Sequence, residues 1–195
     1  MNRDIEYVYS LRKYIFAITS VFIISVVIGV FASIRDPESS LKYFEAFGES
    51  FGWIKDLDPL AIMMIIFLNN ALKSLVALVL GIGLGIIPVV FISVNGIMLG
   101  MIADLVFREM GAAFVLAALL PHGIIEIPMI LLSAGIGLRL GHIMYLSLKG
   151  ERTDLKNELK QGIGFFMRRI VPLLLLAAVI ETFITPLVIS LSVLG

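Results

Sequence analysis

The sequence predicts an all-helical integral membrane bundle of about five spans, and three observations predict it. Hydrophobic residues make up 59% of the 195 residues and charged residues 15%, with a mean hydropathy of +1.05, where a soluble domain of this size carries far more charge. Five stretches are apolar over roughly the 20 residues that cross about 30 Å of hydrocarbon. The basic residues beside those stretches alternate as the positive-inside rule requires. Fifteen basic residues balance fifteen acidic ones, so nucleic acid is not an implied partner, whereas the lipid bilayer is. The chain has no cysteine, which excludes disulfides, thiolate metal sites and cysteine nucleophiles together.

The first span is residues 14–34, preceded by Arg3, Arg12 and Lys13. It lacks a small-residue cleavage site after a short apolar core, so it reads as a retained span and not a signal peptide. The outer segment, residues 35–59, holds six acidic and three basic residues. Within it Phe44, Phe47, Phe51 and Ile54 recur at spacings of three and four, with Trp53 beside them, which places them on one stripe of a helix. That helix lies in the outer interface or packs on the bundle.

The second span is residues 60–80. After it "GIGLGIIP", with Gly81, Gly85 and Pro88, breaks helical continuity in a very tight turn. The third span follows at 86–107 and the fourth at 112–134, although residues 112–147 also fit a re-entrant element. Beyond Ala134 the inner segment, residues 135–169, continues helically with increasing charge, as a cytoplasmic extension and a short connecting helix. His142 falls in this transition as a solvated interfacial residue. Arg139, Lys149, Arg152, Lys156, Lys160, Arg168 and Arg169 put the inner segment on the side of the N-terminus. The fifth span, residues 170–193, completes a single membrane domain covering residues 1–195, multi-pass in the cell membrane, with the N-terminus cytoplasmic and the C-terminus outside.

Against this apolar background a few residues stand out by depth. Asn69, Asn70 and Lys73 lie in the middle part of span two, Asn95 in span three, His122 and Glu126 in span four, and Glu181 in span five. A charge at the bilayer centre costs about 2.5–3.5 kcal/mol on insertion scales, so these groups turn inward to satisfy one another or to line a hydrated cavity. His122 and Glu126 are four apart and share a helical face. Lys73 is the only intramembrane ammonium and is the counter-ion expected for Glu126 or Glu181, unless its stem snorkels to the interface. Pro121, Pro128 and Pro186 each remove a backbone donor nearby, and some of the polar side chains would serve the carbonyls so released. Gly81/Gly85, Gly96/Gly100 and Gly137/Gly141 recur at spacings of four, with Ser133 extending the last pair, and form grooves for close helix contact within one subunit or in a homodimer.

A metal ion held by His122, Glu126 and Glu181 is one reading of the cluster, although one histidine with two carboxylates is a less usual donor set. An ion or proton pathway is another, because midplane titratable groups in broken helices are what transporters use. A hydrolase is the weakest, since the "HGIIE" spacing offers neither a second histidine nor a nucleophile. The remaining reading is a buried polar network that fixes helix packing in a protein that organises others.

"FLNNALKS", the glycine-rich turn, "VNGIMLG", "LLPHGIIEIPMILLSAGIGLRLG" and "IETFITP" together resemble the stage II sporulation protein M family over residues 67–186. The motif positions are Asn69, Asn70, Asn95, Gly96, His122, Gly123, Glu126 and Glu181. The resemblance implies a polytopic membrane protein that is not an enzyme, needs no cofactor, and acts as a scaffold or assembly factor for other membrane or envelope proteins. The alternative is a small transporter or channel built on His122, Glu126 and Glu181.

Overall fold

The computed structural model describes residues 3–50, 52 and 56–194, without the side chains of Phe47, Ser50, His122 and residues 191–194. Every described element is helical: α1 Arg3–Ser10, α2 Arg12–Arg35, α3 Pro37–Ser50, α4 Pro59–Leu80, α5 Ile86–Leu148, α6 Leu155–Phe165, a π segment Phe166–Ile170, α7 Val171–Val179, a second π segment Ile180–Ile184, and α8 Thr185–Leu194. Five helical runs are long and apolar enough to cross a membrane.

Two helices start at the dipeptide Asp-Pro. Asp58 accepts from the backbone amides of Leu60 and Ala61 at 3.0 and 3.1 Å, with Pro59 in the first turn of α4. Asp36 accepts from the amide of Ser39 at 3.1 Å ahead of α3. In each case the aspartate satisfies orphan donors and the proline gives up an amide that had no partner. The Ser39 amide bond holds the Asp36 carboxyl below its ordinary range.

Small residues set the tightest contacts. Ser25, Gly29 and Ser33 are buried on one face of α2, and that face meets the first arm of α5. A Cβ on Gly96 would lie 2.7 Å from Ser25 Cβ, one on Gly100 would meet the backbone of Val26 and Val30, and one on Gly29 would meet the backbone of Ile97. The other two glycine pairs seat on each other: Gly81 against Gly137, and Gly85 against Gly141. Helices in lipid gain little from hydrophobicity and much from such close approach.

The turn between α4 and α5 is residues 81–85. It closes with Leu84 at φ 59° and Gly85 at φ 76°, a left-handed pair in which glycine carries no Cβ penalty. At Gly111 (φ 82°, ψ 174°) α5 leaves helical geometry, and this break divides it into a first arm, residues 86–110, and a second arm, residues 112–148. The first arm runs parallel to α2, with Gly96 beside Ser25 and Gly100 beside Val30. The second returns, with Gly135 beside Ile15.

The returning arm continues past the expected fourth span of 112–134 as helix to Leu148, and residues 133–137 are buried throughout. Arg139 does not drag this stretch into water, because its guanidinium donates to Glu158 Oε1 at 2.8 Å and to Ser10 Oγ at 2.6 Å. His142 is half-buried, with Nδ1 2.7 Å from the Tyr14 hydroxyl, and lines an open cavity with Lys13, Arg139 and Glu158. The inner segment also differs from a separate connecting helix: only residues 149–154 are non-helical, and Leu155–Ser190 is one helical run. α3 packs on α2 and α5, with Tyr43 and Phe44 against Met98, Met101 and Leu105. Phe47, Phe51, Trp53 and Ile54 of the expected stripe fall outside the described side chains.

Both π segments precede a proline by one residue, at Pro172 and Pro186. In each the next amide reaches back five residues, from Val171 to Phe166 and from Thr185 to Ile180. A proline ring clashes with the carbonyl four residues earlier, and one wide turn moves that carbonyl aside without breaking the helix.

Candidate functional site

The two arms of α5, with Phe22 of α2 and Lys73 of α4, enclose a cavity of about 570 Å³. Along the first arm it runs from Ile92 to Ile102 and along the second from Leu119 to Leu131. Ten residues of helix rise about 15 Å, half of a hydrocarbon core. Its polar lining is Lys73, Asn95 and Glu126. At the end nearer α1, Ile92 and Leu131 pack with fully buried Ile18 and Ala134. Beyond these lies a second apolar cluster around Leu11, Leu78, Ile136 and Leu140. The cavity therefore ends blind on two layers of packed side chains.

Glu126 is half-buried, and the charges acting on it are those of Glu181 and Lys73. Glu181 lies on the second π segment, where the Thr185 hydroxyl donates to the Ile180 carbonyl at 3.3 Å. Asn95 donates from Nδ2 to the Phe91 carbonyl at 2.7 Å, so part of its polarity is absorbed by its own helix. Asn69 and Asn70 bond each other at 3.2 Å and do not line the cavity. His122 is one turn from Glu126 on α5, with its side chain outside the described residues.

Of the seven polar residues singled out, three share the cavity, Glu181 acts on one of these, and the asparagine pair is satisfied locally. Among the described residues no group of three or more His, Asp or Glu side chains is arranged to hold a metal, and the set His122, Glu126 and Glu181 includes an undescribed side chain.

The packing residues divide in a similar way. Gly81, Gly85, Gly96 and Gly100 are required by contact, and Pro88 is fully buried. Gly123 is different. A Cβ there would meet only Ile127 Cδ1 at 3.6 Å, and the residue lines the cavity, so its missing side chain leaves space instead of making a seam. Pro121 and Pro128 lie within the second arm on either side of it.

Sequence reasoning missed the pairs Arg139–Glu158 and Tyr14–His142. The available signal was an arginine inside a glycine-rich apolar run, which needs a partner wherever it is buried.

Fold and site together define a polytopic integral membrane protein, a helix bundle with a largely apolar cavity at mid-depth that carries three polar side chains. The family profile of Stage II sporulation protein M matches residues 18–186, and the chain belongs to that family. The match spans every polar residue of the cluster. No curated protein and no solved structure matches the chain.

Proposed function

We propose that the protein is an integral membrane scaffold or assembly factor that recruits or organises other membrane or envelope proteins. The largely apolar cavity with its three polar side chains carries this reading. A pocket that presents Lys73, Asn95 and Glu126 at membrane depth, and stops on packed apolar layers, suits holding a polar group of a partner's transmembrane segment more than passing a solute. Gly123 supports it by leaving room for close approach. Ten of the fifteen basic residues lie at the α1 end or on α6 and its flanks, which supports a cytoplasmic N-terminus and an external C-terminus. No catalytic step is assigned to the cavity.

The test is a photo-crosslinking residue at Leu119, on the cavity wall, in native membranes. The reading expects one reproducible partner band that Glu126→Gln and Lys73→Gln weaken. Recovery of no reproducible partner from Leu119, or a band indifferent to both substitutions, removes it.

A second reading, a small transporter or channel, is favoured by one observation. Two carboxyls and an ammonium gather at mid-depth, with Glu181 on a π turn, a feature common at functional sites. In proteoliposomes it requires proton or cation flux that Glu126→Gln or Glu181→Gln abolishes. Equal flux in wild type, variants and empty vesicles excludes it.

A further inference from the structure

A larger cavity lies elsewhere, at the α1 end, on the outside of the bundle. It is a groove of about 910 Å³ between α1 and α2 on one side and the second arm of α5 and α7 on the other. Its walls are apolar, with Ile15, Phe16, Leu132 and Leu173 among them, and charge is confined to one end, at Asp4, Arg12 and Arg169. From Arg12 to Thr19 the groove follows seven residues of α2, about 10 Å of helix, within the roughly 15 Å depth of one leaflet. Phe16 on its wall is 76% exposed, so the groove faces lipid and is not an internal void.

The charged end is basic in excess. Asp4 is shared by two guanidinium groups, receiving Arg169 Nε at 2.6 Å and Arg168 Nη2 at 3.3 Å, and these hold its carboxyl below the ordinary range. Arg12 makes no ion pair among the described residues and lies over the Tyr9 ring, 4.4 Å from its centroid. Of the charged residues that line the groove, two are basic, Arg12 and Arg169, and one is acidic, Asp4. A pocket with a guanidinium rim at the edge of the hydrocarbon and an apolar trough beneath it matches one kind of molecule, an anion attached to an acyl chain.

We propose that this groove is a binding site for one anionic phospholipid of the leaflet bordering α1, with its phosphate on Arg12 and Arg169 and an acyl chain along Phe16, Leu132 and Leu173. Arg12 supplies the uncommitted charge, and Arg169, already anchored by Asp4, supplies a pre-positioned one. Asp4 thereby acts as a positioning residue for the rim. Zwitterionic lipid fits the trough but gains less from the rim, so headgroup charge sets the preference.

Native mass spectrometry of the detergent-purified protein, titrated with phosphatidylglycerol and separately with phosphatidylcholine, tests this. The first adduct should favour phosphatidylglycerol. Arg12→Gln, at an exposed position, should reduce that preference about fivefold, the worth of one basic side chain near an anionic headgroup, and leave phosphatidylcholine adducts unchanged. Leu132→Trp, which fills the trough and keeps the rim, should weaken both lipids. Soluble glycerol phosphate at the same concentration should not displace the lipid. Equal retention of both lipids by the wild type, an undiminished preference in Arg12→Gln, or displacement by glycerol phosphate each overturns the proposal.

Discussion

Gly137→Ala tests the packing argument where one helix backbone rests on another. A Cβ at Gly137 would meet the Ala77 carbonyl oxygen and lie 3.2 Å from both the Cα and the oxygen of Leu78. All three are backbone atoms of α4, so no side chain can rotate away. Restoring carbon contacts of about 3.5–4.0 Å separates the helices by roughly 1 Å, a gap that forfeits a quarter to a half of each dispersion well. Ser74, Ala77 and Leu78 are the buried residues of α4, and Ile136 of α5 packs in the same cluster as Leu78. Overpacking costs about 1–3 kcal/mol, and the immobile backbone places this site near the top of that range. Alanine returns about 1 kcal/mol of helix propensity, leaving a net loss of about 2 kcal/mol, near the top of a five- to thirtyfold change in the folded ratio. The assay is reversible unfolding in mixed micelles followed by circular dichroism. Gly123→Ala is the control, since its Cβ finds open space; it should be neutral or stabilising by up to about 1 kcal/mol. A Gly137→Ala change below about 0.5 kcal/mol, or equal losses at both glycines, would refute the reasoning.

Four further outcomes follow from the α1 end and the α5 break. Among the described residues the buried Tyr7 hydroxyl has no hydrogen-bond partner, so Tyr7→Phe should be neutral or stabilising at pH 7, by up to about 1 kcal/mol; a clear loss of stability in a melting assay contradicts it. Burial, reinforced by Glu158 and opposed by Arg139, raises the Tyr7 phenol to about 12. The folded state therefore keeps a proton that the unfolded state releases from pH 10 upward, and stability falls between pH 10 and 12 by about 2–3 kcal/mol; Tyr7→Phe should flatten that slope, and equal slopes would count against it. Arg139→Gln leaves Glu158 half-buried without its 2.8 Å partner and should cost about 1–3 kcal/mol, with Glu158→Gln recovering part of the loss in a double-mutant cycle. Gly111→Ala forces a Cβ into a backbone region that only glycine adopts freely, at a cost of about 1–3 kcal/mol, and an unchanged melting temperature would show that the reversal can be made another way.

The crossings were legible from hydropathy alone, because about 20 apolar residues in a row have few other uses. The limits of the fourth were not. "GIGLRLGHI" carries an arginine and a histidine, and by composition it leaves the membrane region. In the structure Arg139 is satisfied by Ser10 and Glu158, and His142 by Tyr14, and two of these partners, Ser10 and Tyr14, lie in parts of the chain far away in sequence. Hydropathy counts residues one at a time and cannot see such pairing. The polar layer was legible as a depth, since counting along each helix places Asn95, Glu126 and Lys73 together. Its inward-facing membership was not, because Asn69 and Asn70 choose each other and Asn95 chooses its own backbone. The prolines announced irregularity in the last span; they did not announce that a wide turn would absorb it.

The Gly81/Gly85 and Gly137/Gly141 seam also bears on the order of events during synthesis. Its two halves are about 60 residues apart, and a complete apolar helix lies between them. At about 5–20 residues per second, the first half reaches the bilayer roughly 3–12 s before the second emerges. Through that interval the glycine turn that follows α4 stands uncovered, open to any other helix that presents a glycine groove. The seam is thus the last close contact of the α4–α5 unit to form and the one most exposed to a mistaken match.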